Sequence, residues 1–199
     1  MERAQLIKEL LEEQVLKSIE HGLWQFGPMG PFTNQRIPPD EMYKFNFGWA
    51  ELATDLLLEE PSGGLLGFLV REPVHWLHNI ASTLEQRNIE LPVTEFDPST
   101  GQVWGPPLER YPPNAQITMF VDVHTAGMQF RYIRVFAERY GLKVKRAIAL
   151  VDRHPVPTTA VDGIPFASVL HVPLPLWRTR HEVPDEYQPN LRYINPLLS

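Results

Sequence analysis

Between Leu65 and Val172 the chain alternates short apolar runs with segments whose apolar residues recur every three or four positions. No other feature constrains the fold as strongly, because strands buried on both faces by crossover helices give this pattern. Leu65 to Val70 reads as the first strand. Pro73 suits the first helical position, and Leu77, Ile80, Ala81 and Leu84 give the helix after it a buried face. Leu91 to Phe96 reads as a strand, Asp97 to Gly101 as a turn, and Gln102 to Gly105 as a short returning strand. Ile117 to Asp122 is a strongly apolar strand ending in an acid. After it come His124-Thr125-Ala126-Gly127 and a helix with Ile133, Phe136, Ala137 and Tyr140 on one side, closed by Gly141. Val144 to Val151 and Ala167 to Val172 are the remaining strands, with Asp162-Gly163 as a turn. The expected fold class is α/β, with a mostly parallel central sheet flanked by helices.

On either side of this core, at 63–175, the pattern changes. Residues 1–62 read as an N-terminal helical or hood segment. Ile7, Leu11, Val15 and Ile19 repeat every four residues and Gly22 is a plausible stop; Leu23 to Pro39 reads as a loop, and a second helix runs from Pro39 toward Pro61 with Phe45, Trp49, Leu52 and Leu56 in helical spacing. Many of the 20 prolines follow Pro155, so 176–199 reads as an irregular, extended tail. At 199 residues with 43% hydrophobic side chains, one domain over 1–199 is expected.

A net charge of −6 without a basic stripe argues against nucleic acid as a partner, since phosphate backbones require clustered Lys and Arg. The absence of cysteine excludes disulfides, thiolate metal sites and cysteine nucleophiles. The amino terminus is charged from its second residue, and the longest apolar stretch is far short of the ~20 residues that cross a bilayer. The chain is therefore expected to be cytoplasmic, with no membrane partner. His75 and His78 have the spacing of metal ligands on a helix, but no third ligand stands nearby, so no metal site is expected.

Chemistry concentrates where the strand ending at Asp122 enters its helix. In open α/β sheets ligands sit outside the carboxyl ends of the strands. A helix amino terminus presents unpaired N–H groups and partial positive charge there, so a loop entering a helix at Met128 can bind phosphate without lysine. Thr125 adds a hydroxyl donor, Gly127 lets the backbone approach, His124 lies inside the loop, and Asp122 is placed to accept hydrogen bonds from sugar hydroxyls. The bland alternative is an ordinary connection in which Asp or Thr caps the helix.

The run Ile117-Thr118-Met119-Phe120-Val121-Asp122-Val123-His124-Thr125-Ala126-Gly127-Met128-Gln129 resembles the phosphoribosyl pyrophosphate signature of type I phosphoribosyltransferases. Leu150-Val151-Asp152-Arg153, followed by Gly163-Ile164-Pro165, is most similar to the orotate branch. The resemblance implies that Asp122 holds the ribose hydroxyls and that His124, Thr125, Ala126, Gly127 and Met128 hold the 5-phosphate. It further implies that Arg71 contacts pyrophosphate, that Arg153 faces the base, that Mg2+ arrives on the pyrophosphate, and that the chain pairs as a homodimer. Its implied small-molecule partner is phosphoribosyl pyrophosphate or a nucleotide. Three departures stand out: Val121 replaces the first acid of the motif, Ala126 the second threonine, and Thr94 to Pro113 carries Glu95, Asp97 and Glu109 with only Arg110 as a cation. They motivate a second expectation, a non-catalytic binding or regulatory module on the same fold.

Overall fold

The computed structural model describes residues 2–26, 31–68, 76–97, 100, 102–188 and 191–194. In chain order the elements are α1 (Glu2–Ser18), β1 (Glu20–Phe26), β2 (Phe32–Arg36), α2 (Pro39–Tyr43), α3 (Asn46–Glu59), β3 (Leu65–Phe68), α4 (Trp76–Gln86) and β4 (Val93–Phe96). They continue with β5 (Val103–Trp104), β6 (Gln116–His124), α5 (Met128–Arg139), β7 (Lys143–Asp152), β8 (Ala160–Val161), β9 (Ile164–His171) and β10 (Leu191–Ile194).

A seven-stranded sheet in the order β5-β4-β3-β6-β7-β9-β8 forms the centre. Its five inner strands are parallel, and the short edge strands β5 and β8 pair antiparallel. The α/β, mostly parallel expectation is thus what the chain adopts. Successive residues on a strand point to opposite faces, and the middle of the sheet follows that period. Leu65, Ile148 and Leu150 pack with Trp49, Leu77 and Ile80 from α3 and α4. Leu66, Ala147 and Ala149 pack with Phe130, Ile133 and Ala137 from α5. Predominantly apolar runs are therefore needed at the centre, where both faces are covered by helices.

Several boundaries differ from the sequence reading, each for a local reason. The first helix stops at Ser18, short of Gly22, where the Ser18 hydroxyl donates to the Val15 carbonyl at 2.9 Å and β1 begins two residues later. The helix expected from Pro39 is two helices, broken at Phe45, which leaves helical geometry with φ −118° and ψ 32° while its carbonyl accepts the Trp49 N–H at 3.2 Å to begin the second. β6 runs through His124, two residues past Asp122. Leu69, Val70, Pro73 and His75 lie outside the described residues.

The larger correction concerns both ends of the chain. Leu23 to Pro39, read as a loop, supplies β1 and β2, and the tail, read as irregular, supplies β10. Together they make a three-stranded sheet, β10-β1-β2. β1 pairs antiparallel with β2 and parallel with β10, Leu23 opposite Leu191 and Trp24 opposite Arg192. Leu23, Phe32 and Val183 form its small core with Trp177, Tyr187 and Leu191. The segment 191–194 is free of proline, so its N–H groups can pair, and its partner lies more than 160 residues away in sequence. None of the described helices is long and apolar enough to cross a membrane.

Candidate functional site

β6 carries its chain to the carboxyl edge of the sheet, and the loop 125–127 turns it into α5. Gly127 is the residue before the helix and has φ +74°, a conformation that side chains resist. A Cβ there would sit 3.2 Å from Val161 Cγ1 and 3.7 Å from His124 Cε1. Among the described residues, the N–H groups of Thr125, Ala126 and Gly127 have no protein acceptor, and no side chain caps α5. This is the arrangement that binds an anion at a helix start.

The amides border an open cleft of about 400 Å³. One wall is His124, Thr125, Ala126 and Gly127; the other is the β7–β8 loop with His154, Thr158 and Thr159. Asp152, 1% exposed at the end of β7, folds that second wall. Its Oδ1 accepts the His154 N–H at 3.1 Å and the Thr158 hydroxyl at 3.2 Å, and its Oδ2 accepts the Thr158 N–H at 2.8 Å. On the rim, Arg131 from α5 makes a paired contact with Asp162 in the β8–β9 turn, at 2.9 and 3.3 Å. The Asp162 carboxyl is held below the usual range by that hydrogen bond.

His124 is 6% exposed, its ring packed on Phe166 at 4.9 Å and Phe130 at 5.6 Å between centroids. Burial pushes its pKa down to about 4, against the attraction of Asp152, its register partner on β7. The imidazole is therefore neutral near pH 7.

Asp122 stands two residues inside the strand, 2% exposed, and is absent from the walls of this cleft. Its Oδ1 accepts the Val123 N–H at 2.7 Å, while Oδ2 is buried without a hydrogen-bond partner among the described residues. Burial raises its pKa to about 6, with the Val123 N–H opposing. The folded state thus holds this proton more tightly than the unfolded chain. Stability from Asp122 is complete below its ordinary value of 3.8 and is lost as pH rises through about 6. Asp122→Asn is expected to stabilise the fold at pH 7.5 by ~1–2 kcal/mol and to do nothing at pH 4. Urea unfolding at the two pH values measures it, and equal effects at both would refute the assignment.

Arg153 is 2% exposed, beneath the N-terminal hairpin. Its Nη2 donates to Thr33 Oγ1 at 2.7 Å and to the Gln35 carbonyl at 2.9 Å, while Thr33 Oγ1 donates to the Pro175 carbonyl at 2.7 Å. Burial lowers its pKa to about 10, so it stays charged. Arg71 lies outside the described residues. Met128 supplies the first helical position, but its side chain turns into a separate groove of about 520 Å³ with Phe96, Tyr132 and Val135. The structure therefore gathers His124, Thr125, Ala126 and Gly127, and sets Asp122 and Arg153 in the interior. Sequence reasoning missed His154, Thr158 and Thr159. The one available signal was a pair of threonines among the prolines after Asp152, a residue noted only beside Arg153.

A parallel sheet with helices on both faces, a strand-loop-helix cradle at its carboxyl edge and an added N-terminal cap define a class: the fold is that of the type I phosphoribosyltransferases. Within that class, the similar solved structures are mainly orotate phosphoribosyltransferases. The enzyme from Mycobacterium tuberculosis, solved with 5-phospho-α-D-ribosyl 1-diphosphate, has TM-score 0.58 and 14% identity, over 85% of this chain and 89% of that one. The Francisella tularensis enzyme has TM-score 0.59 and 16% identity, over 81% of this chain and 85% of that one. Leishmania donovani UMP synthase has TM-score 0.63 and 16% identity over 83% of this chain, which spans only 36% of that longer protein. No protein-family model matches the sequence, and no curated protein does.

Proposed function

We propose that this chain binds a ribose 5-phosphate compound with its phosphate on the amides of Thr125, Ala126, Gly127 and Met128, and transfers phosphoribosyl from phosphoribosyl pyrophosphate to an orotate-like base. The observation that carries the reading is that the loop whose amides have no protein acceptor among the described residues lines the cleft, at the strand end where α/β sheets hold ligands. The Thr125 hydroxyl adds a donor. In this reading Arg71 serves the pyrophosphate, while Asp122 and Arg153, buried in this structure, serve the ribose and the base only once the end of β6 and the hairpin open around the ligand. Among the described residues no group of three His, Asp or Glu side chains could hold a metal. Magnesium enters with the pyrophosphate and is not assigned to a protein site. Positioning and charge stabilisation are the protein's share of such a transfer. A homodimer is part of the same proposal and is checked by sedimentation.

Three observations favour a second reading, a nucleotide-binding module without turnover. Val121, in the place of the motif's first acid, is packed in the apolar core. Arg153 is engaged with Thr33 and Gln35. Glu95 on β4 is buried against the start of α4, where its pKa rises to about 7 through burial, with backbone contacts at His78 and Leu77 opposing. One pair of measurements separates the readings. Calorimetry with ribose 5-phosphate and UMP is expected to show binding in both. Pyrophosphate release with magnesium across a panel of bases including orotate is expected only in the first. Absence of binding to every phosphorylated ribose would defeat both.

A further inference from the structure

We propose that His124 takes up a proton when the cradle fills, so that an imidazolium N–H holds the bound phosphate together with the backbone amides. The inference rests on the cradle being a phosphate site. It adds a residue role that the amides alone do not require.

The geometry is specific to this histidine. It is only 6% exposed, yet it lines the cleft, and among the described residues neither ring nitrogen is hydrogen-bonded or wholly enclosed by protein. Burial of most of the ring disfavours its charged form until an anion arrives beside it. The ring edge lies against the loop, since Cε1 is 3.7 Å from the point where a Gly127 Cβ would stand. An anion seated on the amides is therefore beside the imidazole.

The surrounding charges leave the proton's destination open. On β7, Asp152 faces His124 but its oxygens already accept three donors. On the β7–β8 loop, His154 opposes protonation, and on β9 the His171 ring is tied to the His154 carbonyl at 2.8 Å. On α5 and the β8–β9 turn, Arg131 and Asp162 neutralise each other. On β6 itself, Asp122 stands two residues back with its pKa raised to about 6. In the empty site burial wins and His124 is neutral, with a pKa of about 4. One negative charge about 5 Å away, at an effective dielectric near 20, raises a pKa by roughly two units. The proton comes from solvent, or from the monoanionic form of the phosphate itself.

The test follows the His124 ring-proton resonance through a pH titration by NMR, assigned with His124→Asn, with and without saturating ribose 5-phosphate. The expected result is a midpoint raised by at least about one pH unit in the complex. A second arm uses sulfate, which does not titrate in this range. Its affinity is expected to improve severalfold from pH 7 to pH 5 in the unsubstituted protein and in His154→Gln, and to stay flat in His124→Asn. Calorimetry of sulfate binding in buffers of different ionisation enthalpy counts the proton without any variant, should His124→Asn fail to fold. Ribose 5-phosphate bound with an unmoved midpoint overturns the proton uptake and leaves the phosphate site standing. No binding of ribose 5-phosphate at all removes both.

Discussion

Gly127→Val is expected to abolish measurable binding of ribose 5-phosphate, a loss of at least about 100-fold in affinity. The backbone there has φ +74°, which costs an L side chain roughly 1–2 kcal/mol and a β-branched one more. The added Cβ also falls 3.2 Å from Val161 Cγ1. The loop must therefore rotate, and the amides of Ala126 and Gly127 lose their aim. Two charge-assisted hydrogen bonds at about 1.5–3 kcal/mol each account for the expected loss. Gly141→Val is the matched control. It has a similar φ of +71°, nothing within 4 Å of its Cβ, and a place at the far end of α5. Both variants are expected to melt about 5 °C lower. Only Gly127→Val is expected to lose the ligand in calorimetry. Equal binding by both would show that the phosphate sits elsewhere.

Arg153→Met is expected to lower the melting temperature by about 10 °C, the largest stability effect of any single change at this end of the sheet. The guanidinium fills the space between the end of β7 and the hairpin, and it satisfies Thr33 Oγ1 and the Gln35 carbonyl. Removing it deletes two hydrogen bonds from a charged donor, worth ~1.5–3 kcal/mol each, and leaves Thr33 Oγ1 only the Gln35 N–H at 3.2 Å. The same connection continues through Thr33 to the Pro175 carbonyl, and the backbones of Phe32 and Trp177 pair beside it. Loss of Arg153 should therefore loosen β1, β2 and the tail together. Hydrogen exchange at Trp24 and Thr33 is expected to accelerate more than about tenfold, with little change at Ile148 in the central sheet. An arginine serving only a ligand carboxylate would give the opposite pattern: unchanged melting and exchange, and weakened binding of orotate alone.

Two kinds of residue explain how much of the site was legible in advance. Thr125, Ala126 and Gly127 could be read from the chain because strand, loop and helix start are contiguous, and the local backbone alone makes the cradle. Asp122 and Arg153 could be placed beside the cradle by sequence but not oriented. Asp122 sits within β6, which runs two residues further than its apolar content indicated, so its carboxyl is buried. Arg153 finds its partners on β2, about 120 residues earlier, through a hairpin that proline and glycine had disguised as a loop. The second wall of the cleft was hidden for the same reason. His154 and Thr158 are fixed there by three hydrogen bonds to Asp152, with Thr159 next in the chain, and none of these bonds leaves a periodic mark.

From the order of its residues, this protein's parallel sheet, its helical layers and the strand-to-helix turn at 125–127 were determined, because apolar period and turn chemistry act over a few neighbouring positions. Tertiary structure alone decided that the two ends of the chain join in one small sheet, that a charged arginine secures it, and that a buried histidine opens beside the free amides. Those outcomes depend on which distant segments meet and on how much water the meeting excludes, and neither quantity is written in local sequence.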